Sequence, residues 1–161
     1  MPMPTPRRLP RPAPLLAAAL ALAGGTLTLP GCHGPVQRGA KTEPRVYPFD
    51  ETRGDVQDIQ VFREGTRLKL TNTTATGFGP GRLWVNQRFS RQIDGLAVGQ
   101  SLDLNLYEFV DEFGDKFRAG GFFATDDPDN VVLVQLEARP LDDAGDDARM
   151  HGLIVVRNMI D

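Results

Sequence analysis

An all-β domain, an antiparallel sandwich or barrel of about seven short strands, is what this chain predicts, and three observations predict it. Apolar and polar residues alternate with period two over short runs. Leu68 and Leu70 sit between Arg67, Lys69 and Thr71, and Leu102, Leu104 and Leu106 between Ser101, Asp103 and Asn105. Successive side chains of a strand point to opposite faces, so such runs describe strands with one face in water. Turn formers separate the runs at Glu64-Gly65, Gly77 to Gly81, Asp94-Gly95, Gly99, Gly114, Gly120-Gly121, Asp127-Pro128 and Gly145. Helical spacing is nearly absent. Phe109, Phe113 and Phe117 recur every fourth residue, but Gly114 interrupts them, and a loop or hairpin centred on Asp111 to Gly114 is the preferred reading.

In chain order, Ile59 to Phe62 is the first expected strand and Leu68 to Thr71 the second. Arg82 to Phe89 is the third, and Leu102 to Leu106 follows it. Phe122, Phe123 and Ala124 suggest another. Val131 to Ala138 and His151 to Arg157 are β-branched and apolar on both faces at points, as central strands are. About 100 residues, 58–161, thus form one domain with a single core. Residues 32–57 carry Gly34, Pro35, Gly39, Pro44 and Pro48 with few aliphatics and read as a flexible tether, on which Val46, Tyr47 and Phe49 are candidates to dock on the domain.

The first 31 residues differ from the rest. Arg7, Arg8 and Arg11 make a basic start, Leu15 to Leu29 is uncharged and rich in Leu and Ala, and Leu29-Pro30-Gly31-Cys32 follows, with the only cysteine. This resembles the signal peptide and lipobox of a bacterial lipoprotein, with Pro30 where that family usually has Ala, Ser or Thr. Fifteen apolar residues suit a signal better than a spanning helix, which needs about 20. The resemblance implies cleavage after Gly31 and acylation of Cys32. A single acyl chain anchors only marginally, whereas two or three hold a protein to the bilayer. One cysteine allows no intrachain disulfide, which leaves the anchor as its natural role. His33 stands where lipoproteins of enteric type carry Asp for inner-membrane retention. By that resemblance the outer membrane, facing the periplasm, is favoured.

The full chain holds 18 basic and 21 acidic residues for a net charge of −3; loss of Arg7, Arg8 and Arg11 leaves 15 against 21, or −6. That balance speaks against nucleic acid, whose recognition needs a basic surface. Within the domain, Leu70-Thr71-Asn72-Thr73-Thr74, Leu83-Trp84-Val85 and the run Ile93-Asp94-Gly95-Leu96-Ala97-Val98-Gly99-Gln100-Ser101 resemble small immunoglobulin-like domains of bacterial surface proteins. The likeness spans about 35 residues, lacks the antibody cysteine pair and implies an architecture, not a ligand.

Residues that could carry chemistry are few. His33 and His151 have no second histidine or cysteine at ligand spacing. Ser90 and Ser101 lie outside any Gly-x-Ser-x-Gly motif. Asp111, Glu112 and Asp115 read as a solvated turn before a glycosidase-type carboxylate pair. Asp126, Asp127 and Asp129, and Asp142, Asp143 and Asp146, concentrate oxygen ligands in two loops and are weak calcium candidates, although Asp, Asn, Gly and Pro are also plain turn formers. Asn72-Thr73-Thr74 reads as a strand-end turn.

Strict alternation puts Trp84 with Arg82, Asn86 and Arg88 on the face opposite Leu83, Val85 and Phe89. Exposed, this set would stack on a sugar or peptide; in a central or bulged strand Trp84 is buried, and burial is the expected state. Tyr107, Phe109, Phe113, Phe117, Phe122 and Phe123 should be core for the most part, and any that are exposed mark an interface. The expectation is therefore a lipid-anchored, non-catalytic binding or assembly module without a cofactor, its partners the membrane and an envelope protein. A calcium- or carbohydrate-binding module is the first alternative and a carboxylate hydrolase the second.

Overall fold

A computed structural model describes residues 42–142 and 147–156. Residues 1–31, read above as a signal peptide, and Cys32, His33, Asp143 and Asp146 lie outside the described residues. Among those described, the fold is all-β, with seven strands and one short 3-10 turn at Leu106–Glu108. The strands are β1 (Arg53–Glu64), β2 (Arg67–Thr71), β3 (Gly81–Val85), β4 (Phe89–Ile93), β5 (Ser101–Asn105), β6 (Val134–Ala138) and β7 (Arg149–Val156). No helix of the described residues is long and apolar enough to cross a membrane.

All seven strands join one sheet in the order β4-β3-β6-β7-β1-β2-β5, curled as a half-barrel. The sheet is mixed, which corrects the expected purely antiparallel arrangement. β1 and β7 run parallel, with Val61 opposite Val155, while the other neighbours are antiparallel. The physical reason lies in the length of β1. Its twelve residues begin at Arg53, inside the segment read as tether, and its last four turn back through Gly65-Thr66 onto β2. A parallel pair needs a long crossover, and the rest of the domain, between β1 and β7, supplies it.

Two further elements differ from expectation. Arg82 to Phe89 is not one strand. Asn86 and Gln87 both have positive φ (55° and 57°), and the Arg88 N–H donates to the Val85 carbonyl at 3.2 Å. Positive φ at both central residues is the mark of a type I′ turn, whose twist suits a hairpin. Phe122 to Ala124 is not a strand either. The Ala124 N–H donates to the Gly121 carbonyl at 3.0 Å, which closes a turn with Phe122 and Phe123 at its corners. The segment containing Phe109, Phe113 and Phe117 is a tight loop in which Val110 bridges Lys116 and Gly114 N–H reaches the Asp111 carbonyl.

The concave side of the sheet encloses one core. Ile59, Val61, Leu68, Leu70, Leu83, Leu104, Phe109, Phe117 and Leu136 are all at most 2% exposed within it. On the opposite face, Trp84, Tyr47 and Met150 form a second cluster. A strap, residues 43–52, covers it. Tyr47 meets the Trp84 ring edge-on at 5.2 Å and donates its hydroxyl to Gln135 Oε1 at 2.8 Å, Arg45 pairs with Glu137 at 2.8 Å, and Glu137 also accepts the Trp84 indole N–H at 2.8 Å. Of the three docking candidates only Tyr47 is buried; Val46 and Phe49 are exposed. Gly81 permits this close packing of β3 on β6, since a Cβ there would overlap the Glu137 carbonyl oxygen.

Strand direction sorts the loops into two ends. The turns at 65–66, 86–88 and 106–108 and the long loop 109–133 share one end. The loops 72–80 and 94–100 and the described residues 139–142 and 147–148 share the other. Chain entry belongs to the first, because Pro44 lies against the Gly114 turn before the strap runs down to Arg53.

Candidate binding face

The four residues grouped around Trp84 separate in the fold. Trp84 has no exposure, so it offers no ring to a ligand. Arg82 is buried beside it and donates to the Glu43 carbonyl and to Ser90 Oγ, both at 2.9 Å. Strict alternation had placed these side chains correctly on the outer face; the strap removes that face from solvent. Asn86 and Arg88 instead reach the loop-rich end. The Asn86 amide is spent on main chain, donating to the Asn130 carbonyl at 2.7 Å and accepting from the N–H groups of Val132 and Leu133 at 3.0 and 3.2 Å. It clips the hairpin to the segment entering β6.

A cleft of about 550 Å³ opens at this end between Asn86, Arg88, Phe89, Asp115, Lys116, Arg118, Asp129 and Asn130. Three cations and two carboxylates line it. Arg88 lies over the Phe89 ring at 4.9 Å and grips Asp111 Oδ2 with Nε and Nη2 at 3.1 and 2.8 Å. Arg118 pairs with Asp129 at 2.6 Å, which holds the Asp129 carboxyl below the usual carboxylate range. The Lys116 ammonium makes no ion pair among the described residues and is the free cation of the cleft.

Asp111 organises the wall. It is fully buried, while Glu112 and Asp115 of the same turn are exposed as expected. Its Oδ1 accepts the N–H groups of Phe113 and Asp115 at 3.0 and 2.9 Å, an Asx-type turn. Burial pushes its carboxyl up, but Arg88 and the two backbone N–H groups outweigh that and hold it below the ordinary value. The spacing Asp111-x-x-Gly114 is a turn signal in the sequence; no local pattern reveals that the carboxylate is buried.

Above the cleft rises an aromatic tip. Phe122 and Phe123 are 94% and 91% exposed, their rings edge-to-face at 5.0 Å, and Phe113 in the Asp111–Asp115 turn is 78% exposed. The feet of the tip are fixed. Arg63 donates to the Ala119 carbonyl at 2.9 Å and to the Asp129 carbonyl at 2.5 Å, Asp129 N–H returns to the Arg118 carbonyl at 2.8 Å, and the Tyr107 hydroxyl bonds the Gly120 carbonyl. Exposed rings on a clamped turn are the interface mark that the aromatic cluster was expected to show if it left the core.

Elsewhere the fold is guarded or mute. The outer edge of β5 is capped by Arg67, which donates to both the carboxylate and the carbonyl of Asp103 at 2.8 and 2.9 Å, and the edge of β4 is bridged by Val110 at Ser90. Capped edges discourage added strands. A shallow groove of about 440 Å³ lies on the outer face of β1, β2 and β5 around Phe62, Thr71 and Ser101. Ser101 shares a hydrogen bond with Thr71 and Ser90 accepts from Arg82, so neither hydroxyl has a histidine partner among the described residues. Among the described residues, no group of three or more His, Cys, Asp or Glu is placed to hold a metal ion. Asp126 and Asp127 are exposed, Asp129 is spent on Arg118, and Asp142 accepts from Thr76 at the other end at 3.0 Å.

His151 sits at that other end, buried, with Nε2 lacking a hydrogen-bond partner and its ring edge-on to Phe78 at 5.2 Å. Burial, aided by the charge of Arg149, depresses its pKa against the opposing pull of the Asp55 and Ala138 backbone. The unfolded chain therefore takes up a proton near pH 6.5 while the native imidazole stays neutral. Stability is full above that value and declines as pH falls from about 6.5 towards the native pKa. Thermal midpoints measured from pH 7.5 to 5.5 should fall for the wild type and stay flatter for His151→Gln. Parallel curves would refute the assignment.

No family model matches the chain, and neither a curated protein nor a solved structure matches it.

Proposed function

We propose that this protein is a lipid-anchored envelope module, held at Cys32 and facing the periplasm, which acts by non-catalytic binding through its loop-rich end. The observation that carries the reading is the clamped display of Phe122 and Phe123 beside a cleft with one uncommitted cation. Large exposed apolar surface rimmed by polar groups is what binding sites look like before they are filled. The burial of Trp84 removes the ring that sugar stacking needs, and among the described residues Asp126, Asp127 and Asp129 form no group placed to hold a metal ion.

We also propose an immunoglobulin-like sandwich as the finer description of the fold. In its favour, division of the sheet at the parallel β1–β7 pair leaves β4-β3-β6-β7 and β1-β2-β5, a partition of seven strands like that of the immunoglobulin type. The anchor is tested by metabolic labelling with a clickable palmitate. Wild type should incorporate label and enter the detergent phase, and Cys32→Ser should do neither. Equal behaviour of the two would remove the anchor from the proposal.

A further inference from the structure

We infer that the occupant of the loop-rich end is the bilayer itself: Phe122 and Phe123 enter the headgroup boundary of a zwitterionic membrane while the cleft beside them receives a phospholipid headgroup. The inference deepens the proposed binding face and rests on it. Shape is the first ground. The two rings stand at the corners of a convex turn, and a convex aromatic tip penetrates a soft interface more readily than it fits a rigid one. The second is the cleft chemistry. Lys116, the uncommitted cation, suits a phosphate, and Asp115 in the same lining suits the ammonium of the same headgroup. Asp126 and Asp127 follow the tip and are exposed, which disfavours an anionic surface and selects a zwitterionic one.

The third ground is where the chain enters. Pro44 lies against the Gly114 turn, so the described chain begins at the end that carries the tip. Thr42 is ten peptide steps beyond Cys32, a span of at most about 36 Å when fully extended. An anchored domain is thereby kept within about its own diameter of the bilayer, with the aromatic end on the side of the tether. A short tether turns a weak contact into a frequently occupied one by raising its effective concentration.

The test uses the full chain with Cys32→Ser, carrying one fluorophore on Phe123→Cys or, at the opposite end, on Val98→Cys. On phosphatidylcholine vesicles, iodide quenching at 123 should fall roughly threefold while quenching at 98 stays unchanged. Phe122→Ser should abolish the shielding with an unaltered melting midpoint, since both rings are already in water. A probe at 123 that stays wet on these vesicles, or is shielded better on phosphatidylglycerol vesicles, overturns the inference. The same probe in isolated envelopes separates the two levels. Shielding there without shielding on vesicles leaves the binding face standing with another occupant, and a wet probe in both sinks the binding face as well.

Discussion

Replacing Trp84 with alanine is expected to destabilise the domain by about 3–5 kcal/mol, the range for deleting a buried aromatic. At a few degrees per kcal/mol for a domain of this size, the melting midpoint should drop by on the order of 15 °C. The cost exceeds that of an ordinary core cavity. The indole fills the space between β3, Met150 and the Tyr47 ring, and its N–H serves Glu137, a carboxylate that is itself buried. With the indole gone, Glu137 keeps its ion pair with Arg45 but loses its neutral donor, and Tyr47 loses the surface on which the strap is seated. Trp84→Phe keeps most of the packing and forfeits the hydrogen bond, for which about 1–2 kcal/mol is expected. Tyr47→Ala should leave Trp84 in place but open to acrylamide, and because the chain has a single tryptophan its fluorescence reports the strap directly. A Trp84→Ala variant within about 1 kcal/mol of wild type in urea unfolding would show that the strap is decoration rather than part of the fold.

The strap also shows where the sequence stopped being legible. Period-two patterning located β2 and β5 nearly to the residue, because each has one wet face and one dry. It carried β3 on through the turn to Phe89 and missed the rest of β4, since Asn86 and Gln87 carry positive φ without a glycine to announce the turn. It missed the first half of β1. There the inward and outward residues are polar or half-exposed, and the pairing comes from β7, far away in sequence. The parallel pair was beyond reach for the same reason: antiparallel hairpins are local, whereas partners separated by the whole domain leave no local trace.

The site divides along similar lines. Asn86 and Arg88 were selected for an exposed strand face shared with Trp84, and they do reach a functional-looking end, but by way of a turn. Arg91 is a larger surprise. It lies inward on β4, opposite Leu83, nearly buried, and satisfies its charge on Glu108 at 2.9 Å. Its burial lowers its pKa, yet a guanidinium stays charged throughout the accessible range. Arg91 lies beyond the Arg82 to Phe89 run, and a charged residue gives no local sign that it faces a core. Phe122 and Phe123 failed in the opposite sense. Two adjacent phenylalanines read as strand on propensity, and only the hydrogen bond from Ala124 to Gly121 and the fixed feet turn them outward.

Asp111→Ala should destabilise the domain by about 2–4 kcal/mol and do so through the loop end specifically. One side chain there closes the Asp111–Asp115 turn through two N–H groups and ties it to the β3–β4 hairpin through Arg88. Its removal frees both amides and leaves Arg88, which is mostly exposed, to return to water, so the penalty is lost order rather than a stranded buried charge. Hydrogen exchange is the discriminating readout. The amides of Phe113 and Asp115 should lose protection in Asp111→Ala while those of Ile59 and Val61 in the core keep theirs relative to the global midpoint. Asp111→Asn retains an acceptor for the turn and surrenders only the charge, so it should fall between the two proteins. The pH dependence has a determined sign. Because the native carboxyl is held below its unfolded value, its contribution is complete above about pH 4 and is lost as the pH falls through the depressed native pKa. Wild type should therefore lose stability more steeply than Asp111→Asn on acidification below that point. If the two decline together, the buried carboxylate is not what holds the cleft wall, and the orientation of Phe113 and Lys116 must have another cause.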